Sequence, residues 1–282
     1  MVERRKLEVK QPASTPTRRK VKEAVDSALA NPASSYFACG KEKRLPFVST
    51  GCRLYDEALG GGYVLGRVVN LVGDKSSGKT LAAIEACANF IKDYPDGRIR
   101  YAEAEAAFDL SYAEALGMPI QSVDFTKEGE MNTVEDFYND MVKFLGSLKG
   151  KPGVYVIDSL DALSDEVEQE REIDKGSYGA NKAKKLGEMF RKLVRKMEAS
   201  KVLLIVISQI RDKLNVTFGE TKTRSGGHSL DFYATHVVWF AQIGQLKKTI
   251  RGVERPYGVN IRAKVKKNKV GLPFREVDFP IL

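Results

Sequence analysis

The apolar residues of this 282-residue chain fall into short runs separated by stretches with helical spacing. Five runs predict β-strands at residues 67–72, 99–103, 153–157, 202–208 and 235–241. Apolar residues three and four apart predict helices at residues 80–92, 111–116, 133–148 and 182–199. Residues 259–266 and 274–279 have the pattern of added antiparallel strands. The chain is therefore predicted to have an α/β fold, in which a mostly parallel, twisted sheet is covered by helices on both faces.

A glycine-bearing loop follows the first of these strands and precedes the first of these helices. It consists of Gly73, Asp74, Lys75, Ser76, Ser77, Gly78, Lys79 and Thr80, in the spacing G-x-x-x-x-G-K-T. In such a loop the backbone N–H groups turn toward phosphate oxygens at a helix N-terminus. The lysine reaches the β- and γ-phosphates, and the threonine hydroxyl takes a position on Mg²⁺. We therefore predict a nucleoside triphosphate site that uses Mg²⁺, the alternative being an ordinary surface loop.

The charge of the chain favours a polyanionic partner. The net charge is +9 and the sequence pI is about 9.3, and nucleic acid is the commonest partner of such proteins. Residues 247–275 contain ten basic residues and one acidic residue, Glu254. The alternative is a solvated lysine-rich surface. No apolar run reaches the roughly 18 residues of a membrane span, and the N-terminus lacks a secretory apolar segment. We expect a cytoplasmic protein that has no contact with membranes.

Polar residues at three further strand ends are candidates for chemistry beside the phosphate loop. Asp158 ends an apolar strand and is predicted to lie near Mg²⁺, although it is also able to cap the following turn. Glu103 and Glu105 end another strand, where alternation predicts that they share one face, and a carboxylate there is able to activate the attacking water. The alternative for both is a solvated strand end. Gln209 follows a third strand, where an amide is able to sense the γ-phosphate.

Two polar loops are candidates for contacts with DNA. The loop at residues 211–227 is long and polar, and loops of that length in compact domains are usually functional or disordered. Its basic and small residues suit a nucleic-acid backbone, while Val216 or Phe218 is able to wedge between bases. The second loop, residues 165–179, is rich in glutamate, which makes its role less obvious.

In their order and spacing, these segments resemble the ATPase core of bacterial RecA recombinases, from about residue 49 to residue 282. The runs that carry the resemblance are Ser49-Thr50-Gly51, residues 73–80, residues 104–109, residues 156–159, Gln209-Ile210-Arg211, Phe218-Gly219, Gly226-Gly227, Phe232-Tyr233-Ala234 and Lys267-Asn268-Lys269. The resemblance implies a RecA-like P-loop NTPase core. It also implies ATP as the nucleotide.

The resemblance further implies roles for single residues. Glu105 falls on the water-activating glutamate, Gln209 on the γ-phosphate sensor, and Asp109 and Tyr112 on the adenine contacts. Lys267 and Lys269 match a lysine pair that reaches the ATP of the neighbouring subunit. The two polar loops fall on the family's DNA-binding loops, with Lys184, Arg191, Arg211, Gly226 and Gly227 at backbone-contacting positions. Together with Val216, Phe218 and Arg224 of the loop at residues 211–227, they form the predicted DNA-binding set.

The organisation outside this core follows from composition and from the resemblance. Residues 1–20 are basic and proline-interrupted, and we expect a disordered segment. Residues 21–48 have a helical pattern followed by a short strand, which the resemblance identifies as an oligomerisation element. The sequence departs from the family at Ser208 and Ala106, where the family has asparagine and histidine. It also stops where the family continues into a small C-terminal domain, and we expect a trimmed form, such as a phage-encoded one.

These observations predict an ATP-dependent DNA recombinase. It would form a helical homo-oligomeric filament on single-stranded DNA and pair that strand with homologous duplex DNA. Single-strand-binding or loading proteins are further expected partners. Two alternatives remain open, a nucleotide-switched DNA-binding scaffold or recombination mediator, and a ring-forming helicase-like motor.

Overall fold

The computed structural model describes residues 45–105, 108–127, 129–165, 179–212, 222–224 and 227–282. The predicted basic segment and most of the oligomerisation element lie outside these residues. The described strands are β1 (Phe47–Val48), β2 (Tyr63–Val64), β3 (Val68–Gly73), β4 (Arg98–Glu103), β5 (Val123–Phe125), β6 (Gly153–Asp158), β7 (Val202–Asp212), β8 (Lys222–Arg224), β9 (His236–Ile250), β10 (Val253–Asn268) and β11 (Glu276–Ile281).

The described helices alternate with these strands. They are α1 (Arg53–Leu59), α2 (Lys79–Asp93), α3 (Leu110–Ala115), α4 (Val134–Ser147), α5 (Gly179–Ala199) and α6 (Gly227–Tyr233). The Thr133 side chain starts α4 with a capping box that it shares with Asp136, which satisfies N–H groups that have no partner within the helix. Gly60 ends α1 at φ +92°, a conformation that glycine adopts without steric cost.

One sheet organises the described part of the chain. Its strand order is β11-β10-β9-β3-β7-β6-β4-β5, and β8 pairs with the far end of β7. The pairs from β9 through β3, β7, β6 and β4 to β5 are parallel, whereas β10 pairs antiparallel with β9 and β11. The predicted mixed sheet with a parallel centre is confirmed. In parallel sheets ligands bind beyond the carboxyl ends of the strands, the end where residues 73–80 follow β3.

Alternate residues of the central strands build two apolar layers. On one face Val69, Leu71 and Ile205 pack with α2, α1 and the inner side of β11. On the other face the strands pack against α4, α5 and α6 through residues that include Val68, Val206 and Leu204. These strands are buried on both faces, which explains why they appear in the sequence as continuous apolar runs.

The structure differs from the sequence-based prediction mainly at the antiparallel edge. The strand predicted at residues 235–241 continues to Ile250, and the one predicted at 259–266 begins at Val253. Residues 246–258 are mostly exposed, so burial imposes no alternation of apolar and polar residues on them. The short strand β5 and the helix α6 were also not predicted.

Candidate nucleotide-binding site

The phosphate loop connects the end of β3 to the start of α2, as predicted. Gly73 is buried, and a Cβ atom at this position would lie 2.5 Å from Ser77 Oγ and 2.7 Å from the Phe240 carbonyl oxygen. Gly78 has φ +86°, in the left-handed region that favours glycine. The two glycines therefore fold the loop tightly against the N-terminus of a 15-residue helix, where the helix dipole favours an anion.

The Lys79 side chain lies inside this loop. Its Nζ atom donates a hydrogen bond to the Asp74 carbonyl oxygen at 2.6 Å. Burial lowers the pKa of Lys79, and the nearby charge of Asp158 acts in the opposite direction. A phosphate group beside Nζ would favour the charged form further. The donor set and its charge thus fit a polyphosphate.

Thr80 and Asp158 form the second part of the site. Thr80 Oγ1 donates to Asp158 Oδ2 at 2.8 Å, and the Tyr101 hydroxyl donates to the same oxygen at 2.9 Å. Burial raises the pKa of Asp158, while these two hydrogen bonds lower it. A hydroxyl and a carboxylate are oxygen ligands of the kind that Mg²⁺ prefers. The predicted metal-side pair is therefore in contact and fits this cation.

A glutamate, a serine and a glutamine form the third part of the site. Glu105 Oε1 accepts a hydrogen bond from Gln209 Nε2 at 2.7 Å and another from the Ser159 hydroxyl. Strand β4 ends at Glu103, so Glu103 and Glu105 do not continue on one strand face as the alternation suggested. Instead the Glu103 carboxylate accepts from the Glu105 backbone N–H at 3.0 Å. The structure thus separates the two glutamates: Glu105 contacts the side chain of Gln209, and Glu103 holds the backbone of Glu105.

Gln209 lies directly beside the phosphate loop. It is paired in register with Gly73 on the neighbouring strand, and its backbone N–H donates to Asp161 Oδ2 at 2.7 Å. Just before it, Ser208 Oγ donates to Asn70 Oδ1 at 2.9 Å between buried positions of β7 and β3. This contact joins the two strands where the sequence departs from the family.

The side chains expected at the adenine base occupy the start of α3. Asp109 accepts from the Tyr112 backbone N–H at 3.0 Å and caps the helix, while the Tyr112 ring is 53% exposed. A cavity of about 210 Å³ opens beside Gly78, and its lining includes Leu116, Tyr55, Phe279 and Ile281. Neither Asp109 nor Tyr112 is among the lining residues. A partly apolar cavity next to the phosphate loop fits a base.

The paired lysines lie at the opposite end of the sheet. Lys267 is paired with Val237 at the start of β9, whereas the phosphate loop follows the register pair of Gly73 and Phe240. Lys267 Nζ donates to carbonyl oxygens at the end of α6, and Lys269 Nζ donates to the Phe232 carbonyl oxygen at 3.0 Å. Three strand steps, or about 10 Å along β9, separate the two levels. The structure does not bring these lysines to the phosphate loop of their own chain.

The residues expected to contact DNA are only partly described. Lys184 and Arg191 are exposed on α5, seven residues apart and therefore on one helix face. Arg211 lies near the end of β7, Arg224 ends β8, and Gly227 begins α6. Val216, Phe218 and Gly226 lie outside the described residues. Strands β7 and β8 pair from Ile210–Arg224 to Asp212–Lys222, so this pairing extends three residues beyond Gln209.

Several residues of this site were missed by sequence reasoning. Tyr101 and Ser159 each contact a predicted carboxylate, and Asp161 holds the backbone of Gln209. Ser159 follows Asp158 directly in the strand-end run, which was an available signal. Tyr101 lies two residues before Glu103 on β4, but only the pairing of β4 with β6 brings it to Asp158.

Comparison with known proteins identifies the family. The model of the RecA N-terminal domain matches residues 24–282. The chain belongs to the RecA family. Protein RecA of Synechocystis sp. is 33% identical over 241 residues, which are 86% of this chain and 65% of that protein. Protein RecA of Nostoc sp. is 34% identical over 239 residues, 85% of this chain and 64% of that protein. The chain thus spans slightly less than two thirds of the length of these curated relatives.

A solved structure supports the fold independently. The crystal structure of the RadB recombinase matches with a TM-score of 0.60 and 14% sequence identity, covering 84% of this chain and 96% of that chain. The RecA-like core expected from the sequence is confirmed. Within the part of the chain that the structure describes, no helix is long and apolar enough to cross a membrane.

Proposed function

We propose that this RecA-family protein is a DNA-dependent ATPase that forms filaments on single-stranded DNA and catalyses homologous pairing and strand exchange. The observation that carries the proposal is the contact of Glu105 with Gln209 beside the phosphate loop. It connects a candidate catalytic carboxylate to a residue of the strand that leads into a candidate DNA-binding loop.

Different residues around the phosphate loop would have different roles in ATP hydrolysis. The backbone of residues 73–80 and Lys79 would bind the phosphates, and Thr80 and Asp158 would hold Mg²⁺. When bound, this cation neutralises charge that develops on the phosphate oxygens. Glu105 would orient the attacking water and accept its proton at Oε1 or Oε2. Its exposed carboxylate is held by Ser159 and Gln209, which supports this role.

The position of Gln209 supports coupling between nucleotide and DNA. A γ-phosphate next to Gly73 would compete with Glu105 for the amide of Gln209. A change in this hydrogen bond alters the end of β7, which passes directly into its pairing with β8. Both strands border the segment 213–221, so the state of the nucleotide would change how that segment meets DNA.

The position of the lysine pair supports an active site shared between subunits. Lys267 and Lys269 hold the C-terminal end of α6, and Lys267 lies about 10 Å from the level of the loop in its own chain. In a head-to-tail filament they would reach the nucleotide of the adjacent subunit and stabilise the charge of the transition state.

Strand exchange tests the proposal directly. A single-stranded circle is incubated with homologous or heterologous linear duplex in the presence of ATP and Mg²⁺, and joint molecules are separated on a gel. The wild-type protein should give joint molecules with homologous duplex only. Filaments on single-stranded DNA without any homology-dependent product would contradict the recombinase proposal. That result would instead support the nucleotide-switched scaffold.

A further inference from the structure

Strands β9 and β10 extend beyond the core sheet as a two-stranded ribbon. Strand β3 pairs with β9 only as far as Phe240, and β11 pairs with β10 only from Val259. Residues 246–258, which we call the β9–β10 ribbon, are therefore not flanked by another strand of the described structure. The five residues from Leu246 to Ile250 extend about 17 Å.

The ribbon has two different faces. Lys248 lies directly opposite Arg255, and Ile250 lies directly opposite Val253. Directly opposed residues point to the same side of an antiparallel pair, and these two pairs are two residues apart, so all four share one face, which we call the cationic face. The other face carries Lys247 and Glu254, which form an ion pair at 3.0 Å.

The cationic face brings like charges together. Directly opposed like charges destabilise an antiparallel pair, and no ion pair joins Lys248 or Arg255 to an acid of the described residues. In the part of β10 that pairs with β11, by contrast, each of two basic residues has an acidic partner: Arg262 is paired with Asp278 at 2.8 Å and Lys264 with Glu276. Lys248 and Arg255, the basic residues of this face without an acidic partner among the described residues, thus lie near the turn that joins β9 to β10.

Apolar side chains are exposed at the end of the same face. Ile250 is 48% exposed and Val253 is 55% exposed, and they flank the turn at Arg251 and Gly252. Exposed apolar groups of this size next to unpaired cations form a surface that is suited to a partner with both anionic and apolar parts. A nucleic-acid groove has this composition, with phosphates at its edges and bases at its floor.

The cationic face points to the same side of the sheet as the candidate DNA-binding elements. On β9, Val237 and Trp239 pack with α5 and α6, while Val238 and Phe240 pack on the opposite side. The pairing of β9 with β10 has a register shift opposite Asn260 and Ile261. When the alternation of side chains along β9 is followed through this shift, Lys248 lies on the same side of the sheet as Val237 and Trp239. Helices α5 and α6 each begin where a candidate DNA-binding loop ends.

We propose that the β9–β10 ribbon is a binding surface for duplex DNA. Lys248 and Arg255 contact phosphates, and Ile250 and Val253 press into the groove between them. The major groove is wide enough to admit a two-stranded ribbon, and the thymine methyl groups exposed in it accept apolar contacts. The inference rests on the proposed function only because it takes DNA as the partner. It places the duplex on the ribbon and not on the candidate DNA-binding loops.

Charge reversals of neighbouring residues test this assignment. The full-length protein is titrated, without nucleotide, onto a short fluorescently labelled duplex, and binding is followed by anisotropy. Lys248→Glu changes the cationic face, and its matched control Lys247→Glu makes the same charge change one residue away on the other face. We expect Lys248→Glu to weaken duplex binding on the order of tenfold and Lys247→Glu to change it less than about twofold.

Two further variants separate the contributions of charge and apolar contact. Lys248→Ala combined with Arg255→Ala should lower the slope of log K against log salt concentration by about 1.8, which is the value for two lost phosphate contacts. Ile250→Ser should weaken duplex binding while leaving that slope unchanged. An unchanged thermal unfolding midpoint in each variant shows that the core is intact.

The outcomes distinguish this inference from the proposed function. Equal losses in Lys248→Glu and Lys247→Glu would overturn the ribbon assignment, because only the net charge would then matter. Displacement of the duplex by polyglutamate at equal charge concentration would also overturn it, in favour of an acidic protein partner. Absence of ATP hydrolysis stimulated by single-stranded DNA would refute the proposed function, yet a face-dependent loss of duplex binding would still support the ribbon.

Discussion

At the scale of single residues, Glu105 and Glu103 differ sharply although they are two positions apart. Glu105 contacts Ser159 and Gln209, while Glu103 accepts the backbone N–H of Glu105. Glu105→Gln removes the candidate base but keeps an oxygen for both contacts. We expect the rate of ATP hydrolysis to fall by about 10²–10⁴-fold while the affinity for ATP changes little, as measured by steady-state kinetics and nucleotide binding.

Glu103→Gln is the matched control for this variant. Its amide oxygen is still able to accept the backbone N–H, so hydrolysis should remain within about threefold of the wild-type rate. Equal losses in the two variants would contradict the assignment of the catalytic role to Glu105 alone. A similar rate in Glu105→Gln and wild type would remove Glu105 from the mechanism.

His236 provides a second residue-scale prediction, for the stability of the fold. It is fully buried at the start of β9, and burial lowers its pKa to about 4. The unfolded chain therefore binds a proton at this residue as the pH falls below 6.5, whereas the folded chain does not. The free energy of unfolding should decrease between about pH 6.5 and pH 4, by on the order of 3 kcal/mol from this group.

Urea unfolding at several pH values checks the contribution of His236. In His236→Gln the decrease over this pH range should be smaller than in the wild type by that amount, because glutamine does not titrate. The comparison uses the difference between the two proteins, since other groups titrate equally in both. Parallel pH profiles would show that His236 is not held neutral in the folded protein.

At the scale of elements, local sequence signals set the helix boundaries. The Thr133 hydroxyl accepts from the Asp136 backbone N–H at 3.0 Å, and the Asp136 carboxylate accepts from the Thr133 backbone N–H at 2.9 Å. Thr133→Ala should lower the free energy of unfolding by about 1 kcal/mol, measured by urea denaturation. Ser147→Ala, near the other end of the same helix, is the control and should cost less. Equal effects would indicate that the cap contributes nothing specific.

The sequence predicted elements well where burial imposes a pattern and poorly where it does not. Strands β3 and β6 and residues 202–208 of β7 are buried on both faces, and their apolar runs locate the three strands to within four residues at each end. The β9–β10 ribbon is exposed, so its length depends on pairing between backbones. This pairing produces no pattern of apolar residues in the sequence. Helix α6 follows a candidate loop, and its seven residues are too few to show a clear period.

The candidate site was predictable to the extent that its residues end strands. Asp158, Gln209 and the pair Glu103 and Glu105 became candidates because the carboxyl ends of parallel strands lie at one edge of the sheet. The resemblance to RecA recombinases then singled out Glu105. Tyr101 was missed because its contact with Asp158 depends on the lateral order of β4 and β6. The cavity beside Gly78 was missed for the same reason, because the residues 279–282 that help to line it come from the far end of the chain.

At the scale of the whole molecule, the separation of the lysine pair from its own phosphate loop predicts that two inactive variants complement each other. Glu105→Gln has an intact lysine pair, and the double variant Lys267→Ala with Lys269→Ala has an intact Glu105. In a randomly mixed head-to-tail filament, about a quarter of the interfaces would combine both intact halves. The equimolar mixture should therefore hydrolyse ATP at about a quarter of the wild-type rate, although each variant alone is nearly inactive.

The control for this experiment mixes two variants of the same half of the site. Glu105→Gln and Lys79→Ala both damage the half that contains the phosphate loop, so no interface in their mixture is intact and no activity should return. Filament formation by each variant on single-stranded DNA is verified by electron microscopy, because the lysines also hold the end of α6. If the lysine variant is fully active by itself, the nucleotide site is complete within one chain. If the first mixture stays inactive while both variants form mixed filaments, the lysines act on structure and not on the neighbouring nucleotide.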